Sequence, residues 1–404
     1  MLKILLCLLV FLNFLYSNPL QEAINSAEPG DIITLDDGIY EGNIVINKAI
    51  TLQAKNRAVI RGNGTGSVIK IKSSNVSLIN LKIENSGNSH TNIDAGISCE
   101  NSNLVRIENN DISNSLFGID FKQCNESKIV DNRITSKPVS LGLRGDAIRL
   151  WYSHNNEISH NYIYESRDMV IWYSSGNTIK NNYGRDGRYS LHFMYAGKNL
   201  VENNKFEFNS VGIFFMFSSG SLVRNNHVSN STGPFGVGIG MKDTSDFTLE
   251  NNVLMYNARG LYIDQSPFQP GTINTYSKNQ ILYNTTGVHF HATQHKSVFE
   301  NNDLIGNMEI AINDTPDSKV LENEWRENYF DDYEGFDRDK DGYGDMPYAS
   351  YSYADRLWQH SPSLRFFYGS TAISALNFLA RLAPFSEPEM LLSDKRPKMR
   401  ANYE

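Results

Sequence analysis

Residues 144–153 read RGDAIRLWYS, 167–174 RDMVIWYS, 187–195 GRYSLHFMY and 210–219 SVGIFFMFSS, four versions of one short unit roughly 22 residues apart. In each, an apolar residue precedes a variable one, then an aromatic or Leu, then Trp, Tyr or Met. A fixed internal period dictates fold, because each repeat must bury its apolar face against the next. Two ladders extend the pattern over residues 68–325. The first has the form Asn-x-apolar: Asn110, Asn132, Asn161, Asn204, Asn226, Asn252, Asn279 and Asn302, with Asn182 in step although Gly184 interrupts its apolar site. The second comprises Gly118-Ile119, Ala147-Ile148, Met169-Val170, Ser190-Leu191, Gly212-Ile213, Gly238-Ile239, Gly260-Leu261 and Gly287-Val288. Within each unit apolar and variable residues alternate, which is strand periodicity. Windows of 3.6-residue periodicity and the Leu-x-x-Leu-x-Leu spacing of leucine-rich repeats are both missing. The remaining solution is an all-β chain, a parallel β-helix whose short strands stack coil on coil about 4.8 Å apart. The ladder asparagines are expected at a turn, where Asn tolerates a left-handed backbone and its amide can bond the next coil. Longer spacings place inserted loops at 137–145, 231–237 and 265–274, natural places for function.

The chain has 404 residues, 40% hydrophobic and 20% charged, with a formal net charge of −8. That balance argues against a nucleic-acid footprint. Residues 1–17 read as a secretory signal: Lys3, an apolar run from Ile4 to Leu15 interrupted by Asn13, and a small residue at Ser17. An uncleaved anchor is the alternative. The mature chain then keeps Cys99 and Cys124, too few for a disulfide scaffold. The repeat alignment sets Cys99 level with inward Phe121 and Cys124 level with small residues such as Ser153. They are therefore read as two buried thiols rather than a bridge.

The β-helix is assigned to 18–330, with a lead-in of a short helix over Gln21–Ala27 and strands at Ile32–Leu35, Ile44–Ile46 and Ile50–Leu52. Residues 331–362 form an acidic segment in which Asp337, Asp339, Asp341 and Asp345 flank Gly342. This spacing suits a hard cation such as calcium, although Tyr348 replaces the Glu that closes an EF-hand loop. An acidic solvated loop is the plainer reading. Residues 363–404 are read as a C-terminal helix over 364–382 followed by an extended tail. Phe366, Phe367, Phe378 and Leu379, with Arg396 and Arg400 in the basic tail, are candidates for docking on a partner. A helix that merely caps the solenoid is equally open.

Stacking the units in register places Ile148, Val170, Leu191, Ile213, Ile239, Leu261 and Val288 inward. Outside them lies an ionic cluster, Asp146, Arg149, Arg167, Asp168 and Arg188, with Asp146 expected over Asp168. Paired carboxylates can serve acid–base chemistry on a sugar, and they can equally form a structural ion-pair ladder. A second outer stripe reads Trp151, Tyr173, Met194, Met216, Lys242, Asp264 and His291. Thioether and imidazole groups are ligands for Cu(I), so Met194, Met216 and His192, or the His289/His291 group, are copper candidates. Ordinary packing of exposed aromatics against a loop or partner is the alternative. A phosphate-binding Gly-rich loop, a CxxC pair and a nucleophile elbow are all missing.

The four repeat units, together with LYIDQSPFQPGTIN (261–274), DRDKDGYGDMPY (337–348) and FLARLAPFSEPEMLLSDKRP (378–397), resemble the NosD family over nearly the whole mature chain. The resemblance implies a right-handed parallel β-helix of the carbohydrate-binding and sugar-hydrolase type. It further implies a non-enzymatic periplasmic subunit on an ABC-type transporter, held peripherally at the inner membrane by the permease and energised by a partner ATPase. With a copper chaperone lipoprotein, that complex helps assemble the copper–sulfur centre of nitrous oxide reductase. Two rivals stay open: a β-helix polysaccharide lyase, hydrolase or epimerase using Asp146, Asp168, Arg149 and His192, and a metal-free docking scaffold.

Overall fold

Asn18 opens a helix over Pro19–Ser26 by accepting hydrogen bonds from the backbone N–H groups of Leu20 and Gln21, and Pro19 supplies a preset first turn. The helix buries Leu20 and Ile24. It belongs to a computed structural model that describes residues 18–352, 361–367, 370–382 and 389–402. The expected leader lies outside the described residues. The fold is a right-handed parallel β-helix, and the chain divides into two compact units, Met1–Leu200 and Val201–Glu404.

In the first unit, successive strands Ile69–Ile71, Ala95–Glu100, Phe117–Lys122, Ile148–Trp151, Asp168–Trp172 and Tyr189–Met194 pair in parallel, one per coil. Their inward residues form two aligned rows. One is Ile69, Ile97, Ile119, Ile148 and Met169; the other is Ile71, Cys99, Phe121, Leu150, Ile171 and Phe193. All of these are buried. The expected inward row therefore slips at Val170: Met169 is level with Ile148, and Val170 is level with Arg149 and His192. The coil is one residue short of 22, since Ile148 and Met169 are 21 apart in a regular pairing. A bulge on the following strand then restores the count: between the pairs Asp168–Tyr189 and Val170–His192, Met169 alone opposes Ser190 and Leu191, so a constant count of 22 misassigns one coil. For the same reason Trp172, not Tyr173, joins Trp151 and Met194 on the outer stripe. Tyr173 instead takes a left-handed corner at φ 50° and stacks between Tyr152 and Tyr195.

In the second unit, Val211–Met216, Val237–Lys242, Arg259–Asp264, Thr286–His291 and Glu309–Asn313 stack in the same way. The glycines that open these strands have a steric cause. A Cβ at Gly212 would lie 2.4 Å from the Gly238 carbonyl oxygen, and one at Gly287 2.7 Å from that of Ile310. The core ends in an aromatic stack, with Phe299 centred 4.5 Å from Tyr276 and 4.1 Å from Trp325.

Each unit carries an asparagine ladder, in the first from Asn132 to Asn161 to Asn182. Asn226, for example, donates its backbone N–H and its Nδ2 to Oδ1 of Asn252, which donates likewise to Asn279. The left-handed backbone expected at these residues falls one position earlier, at Asn225, Asn251 and Lys278. The ladder residue itself is buried and spends its amide on the next coil. A second ladder, Asn257 to Asn284 to Asn307, has the same bonding.

The tail does not reach outward over 389–402. Strand Glu389–Asp394 pairs antiparallel with Tyr348–Ser352 and meets Trp325 in parallel. Asp394 accepts the backbone N–H and Nδ2 of Asn328, ending the ladder. Asn402 binds Asp303. The expected helix is shorter than its apolar run: a 3₁₀ turn covers Pro362–Phe367 and the α-helix covers Thr371–Leu382. Among the described residues no helix is long and apolar enough to cross a membrane.

Candidate functional site

The outer face of the first unit carries the ionic cluster as interleaved pairs. Arg149 lies 2.8 Å from Asp120, Arg167 2.9 Å from Asp146, and Arg188 binds Asp168 through Nε at 3.0 Å and through a second, shorter contact. Asp146 takes Arg167 as its partner, and Asp168 lies 3.9 Å from the same guanidinium. Asp120, Asp146 and Asp168 are all buried. Burial pushes the Asp146 carboxyl up to about 7 against the opposing pull of Arg167. Each buried carboxylate has a guanidinium partner, the pattern of a structural ion-pair ladder. Asp120 is the member that the sequence reading missed. Its signal was present in the strand alternation, one position before inward Phe121.

Next to this ladder sits a different environment. His192 is 7% exposed, and neither ring nitrogen has a hydrogen-bond partner. The Tyr189 ring stacks on it at 4.8 Å, and the Trp172 ring meets it edge-on at 5.9 Å. Trp172 Nε1 and Ser190 Oγ are also buried without partners. Burial lowers the His192 pKa, with Arg188 acting in the same direction and Asp168 opposing. The imidazole is thus held neutral, with unspent lone-pair capacity. Leaving a buried polar group unsatisfied costs about 1–3 kcal/mol, so such a group in a packed face points to a ligand. Met194 ends the same strand two residues on, hence on the same face, and is partly exposed. Met216 ends the first outer strand described in the second unit, level with Lys242.

The second unit gathers the other histidines. Asp314 receives both: His289 Nε2 at 2.8 Å and His291 Nδ1 at 2.7 Å. Arg259 Nε donates to His289 Nδ1 at 2.9 Å. A guanidinium only donates, so Nδ1 of His289 must accept and Nε2 must carry the proton. His289 is therefore fully committed and serves to position Asp314. His291 uses Nδ1 on the same carboxylate, which leaves Nε2 as the one open imidazole nitrogen of the pair. A carboxylate behind an imidazole is a recurrent arrangement at metal ligands. Burial works to raise the Asp314 carboxyl, but the two imidazoles reverse this and hold it well below the usual carboxylate range. Neither Asp314 nor Arg259 was anticipated, because both come from coils whose order in sequence says nothing about their reach.

In the acidic loop, carboxylate oxygens of Asp337, Asp339 and Asp341 lie within 4.8 Å of one another. Asp345 is turned away and accepts from the backbone N–H of Arg338 at 2.8 Å. Asp337 and Asp341 accept loop amides from Gly342 and Tyr343. Arg396 closes the loop, 2.9 Å from Asp341 and 3.0 Å from Glu327, with its guanidinium 3.8 Å from the Tyr343 ring centre. Arg396, expected to dock a partner, thus supplies the countercharge a cation would bring. Arg400 is exposed. Phe366 is 89% exposed, and Phe367, Phe378 and Leu379 are more than half exposed. Ile373, packed with Leu364, is the buried core of this helical segment.

A right-handed parallel β-helix with buried polar ladders and imidazole and thioether groups on its outer face defines the class of fold. Residues 130–335 match the family model described as periplasmic copper-binding protein (NosD), and residues 58–188 match a right-handed β-helix region. The chain belongs to the NosD family. It is 30% identical over 369 residues to "Probable ABC transporter binding protein NosD" of Pseudomonas aeruginosa, covering 87% of this chain and 84% of that one. The protein of the same description from Stutzerimonas stutzeri is 28% identical over 367 residues, covering 87% and 83%. Among solved structures, the mannuronan C-5 epimerase AlgE6 A-module of Azotobacter vinelandii superposes with a TM-score of 0.58 at 15% identity, covering 76% of this chain and 93% of that one. The N-terminal fragment of gene product 12 of bacteriophage Phi29 gives 0.57 at 13% identity, covering 75% and 67%. At these identities the likeness is one of fold.

Proposed function

We propose that this chain is the periplasmic β-helix subunit of an ABC-type transporter complex that receives and delivers copper during assembly of the copper–sulfur centre of nitrous oxide reductase. Its partners in this reading are the permease and ATPase, a copper chaperone lipoprotein and the reductase itself. The observation that carries it is His192: a buried, neutral imidazole with both nitrogens unspent, followed on the same strand face by the Met194 thioether. Imidazole and thioether together suit Cu(I), and weak, few-ligand coordination suits a cargo that must leave again. His291, oriented by Asp314, offers a second imidazole in the other unit. Energy for release comes from the ATPase.

The test is a Cu(I) chelator competition on the full mature chain. His192→Phe and Met194→Ser are each expected to weaken binding at least about tenfold, the effect of about 1.4 kcal/mol. Unchanged affinity in both variants would remove this site. The hydrolase or epimerase reading requires release of unsaturated or reducing ends from acidic polysaccharides, lost in Asp146→Ala. The buried, arginine-paired carboxylates favour no such activity.

A further inference from the structure

Cys99 and Cys124 each depart from the row they occupy. Cys99 stands between Ile71 and Phe121, in a row that continues with Leu150, Ile171 and Phe193. It is the smallest side chain there. Cys124 stands at a corner where the next coils carry Ser153 and Ser174. Its backbone N–H donates to Ser153 Oγ at 3.0 Å, and that of Ser153 to Ser174 Oγ at 2.9 Å. The two departures lie in adjacent coils and meet. The Sγ atoms are 2.8 Å apart and both residues are buried. Two sulfurs at that distance are inside even the ~3.5 Å contact of two carbons, so each side chain fills the space the other leaves.

We propose that Cys99 and Cys124 form a disulfide that staples two successive coils of the exported protein. As free thiols they match the reading from sequence, and their offset around the coil, which there argued against a bridge, is what brings the sulfurs together. The bond closes a loop of 25 positions. Both thiols are sealed in the core of the folded unit, and Cys99 is held far above the usual thiol range by its Cys124 neighbour and by burial. Oxidation therefore precedes closure of coils 95–130. In that step a Cys124 thiolate attacks one sulfur of a reactive disulfide on an exported dithiol oxidase, giving a mixed disulfide. The Cys99 thiolate then displaces the oxidase. The pair loses two electrons, and the oxidase departs as a dithiol carrying the two protons.

To test this, the full chain is reduced and unfolded in guanidinium, refolded in a glutathione redox buffer, then denatured with iodoacetamide and mapped by mass spectrometry. The expected result is a linked pair of peptides containing Cys99 and Cys124, both alkylated only after reduction. Alkylation of both before reduction overturns the proposal. Adding the same buffer after the reduced chain has folded is expected to leave both thiols free for hours, and prompt oxidation there would overturn the stated order of events. The oxidised form is expected to melt about 4 °C above the reduced form; equal melting would show that the bond is no staple. Thiol state is read without copper, so these outcomes are independent of the metal site.

Discussion

At the scale of single residues, His192 and His289 show how burial assigns opposite roles to one side-chain type. His289 has every polar atom spent, on Arg259 and Asp314, and can only orient. His192 has none spent. For both, burial lowers the pKa below the ordinary value of about 6.5. The sign follows: as pH falls through about 6.5 the unfolded chain takes up protons before the folded one, so folding stability declines between that pH and the lower folded pKa. We expect His192→Phe to flatten this decline in urea titrations between about pH 7 and 5; a curve parallel to wild type would show that His192 titrates normally. Cu(I) binding at His192 is expected to persist to lower pH than an exposed histidine would allow, for the same reason. Asp314→Asn removes the anionic anchor of His291 and is expected to lower imidazole occupancy in a copper-bound spectrum about 10-fold to 100-fold by affinity. It should leave the His192 site unaffected. Much of this was illegible in the sequence. His192, Met194, His289 and His291 could be found from alternation and side-chain chemistry. Asp314 and Arg259 could not, because the contact depends on how far side chains reach between coils.

At the scale of elements, the repeat is held by polar ladders as much as by its apolar core. Asn252 accepts from the N–H and Nδ2 of Asn226 and donates to Val223 and Asn279. Asn252→Ala would strand a buried donor pair and is expected to cost about 2–4 kcal/mol, read as a lower urea midpoint with unchanged slope. The Asn-x-apolar spacing announced this ladder directly, since only a residue carrying both donor and acceptor can repeat the bond from coil to coil. The strand register was less legible. A count of 22 cannot register the coil from Ile148 to Met169, which has 21 residues, or the bulge that follows, where Asp168 and Tyr189 are 21 apart but Val170 and His192 are 22 apart. That single slip took Val170 out of the inward row, although it stays buried, and replaced Tyr173 by Trp172 on the outer stripe.

At the scale of the whole molecule, the terminal segment divides its work. Residues 389–402 fold back on the second unit, while the helix Thr371–Leu382 leaves Leu376, Phe378, Leu379 and Leu382 exposed. In the proposed complex this apolar patch is the surface that meets the permease. Phe378→Ser with Leu379→Ser is expected to reduce co-purification with permease-containing membranes while leaving Cu(I) affinity at the wild-type value. Loss of copper binding in that variant would instead indicate a damaged fold. Asp394 has a further consequence. Every ladder asparagine presents an acceptor to one neighbour and donors to the other, so a stack of them has no natural end. A carboxylate accepts from Asn328 and offers no donor onward, and the antiparallel strand that carries it covers the last parallel edge. Without that stop, the final coil is a template for another chain, and removing residues 389–404 should convert a well-behaved protein into filaments that lengthen with concentration.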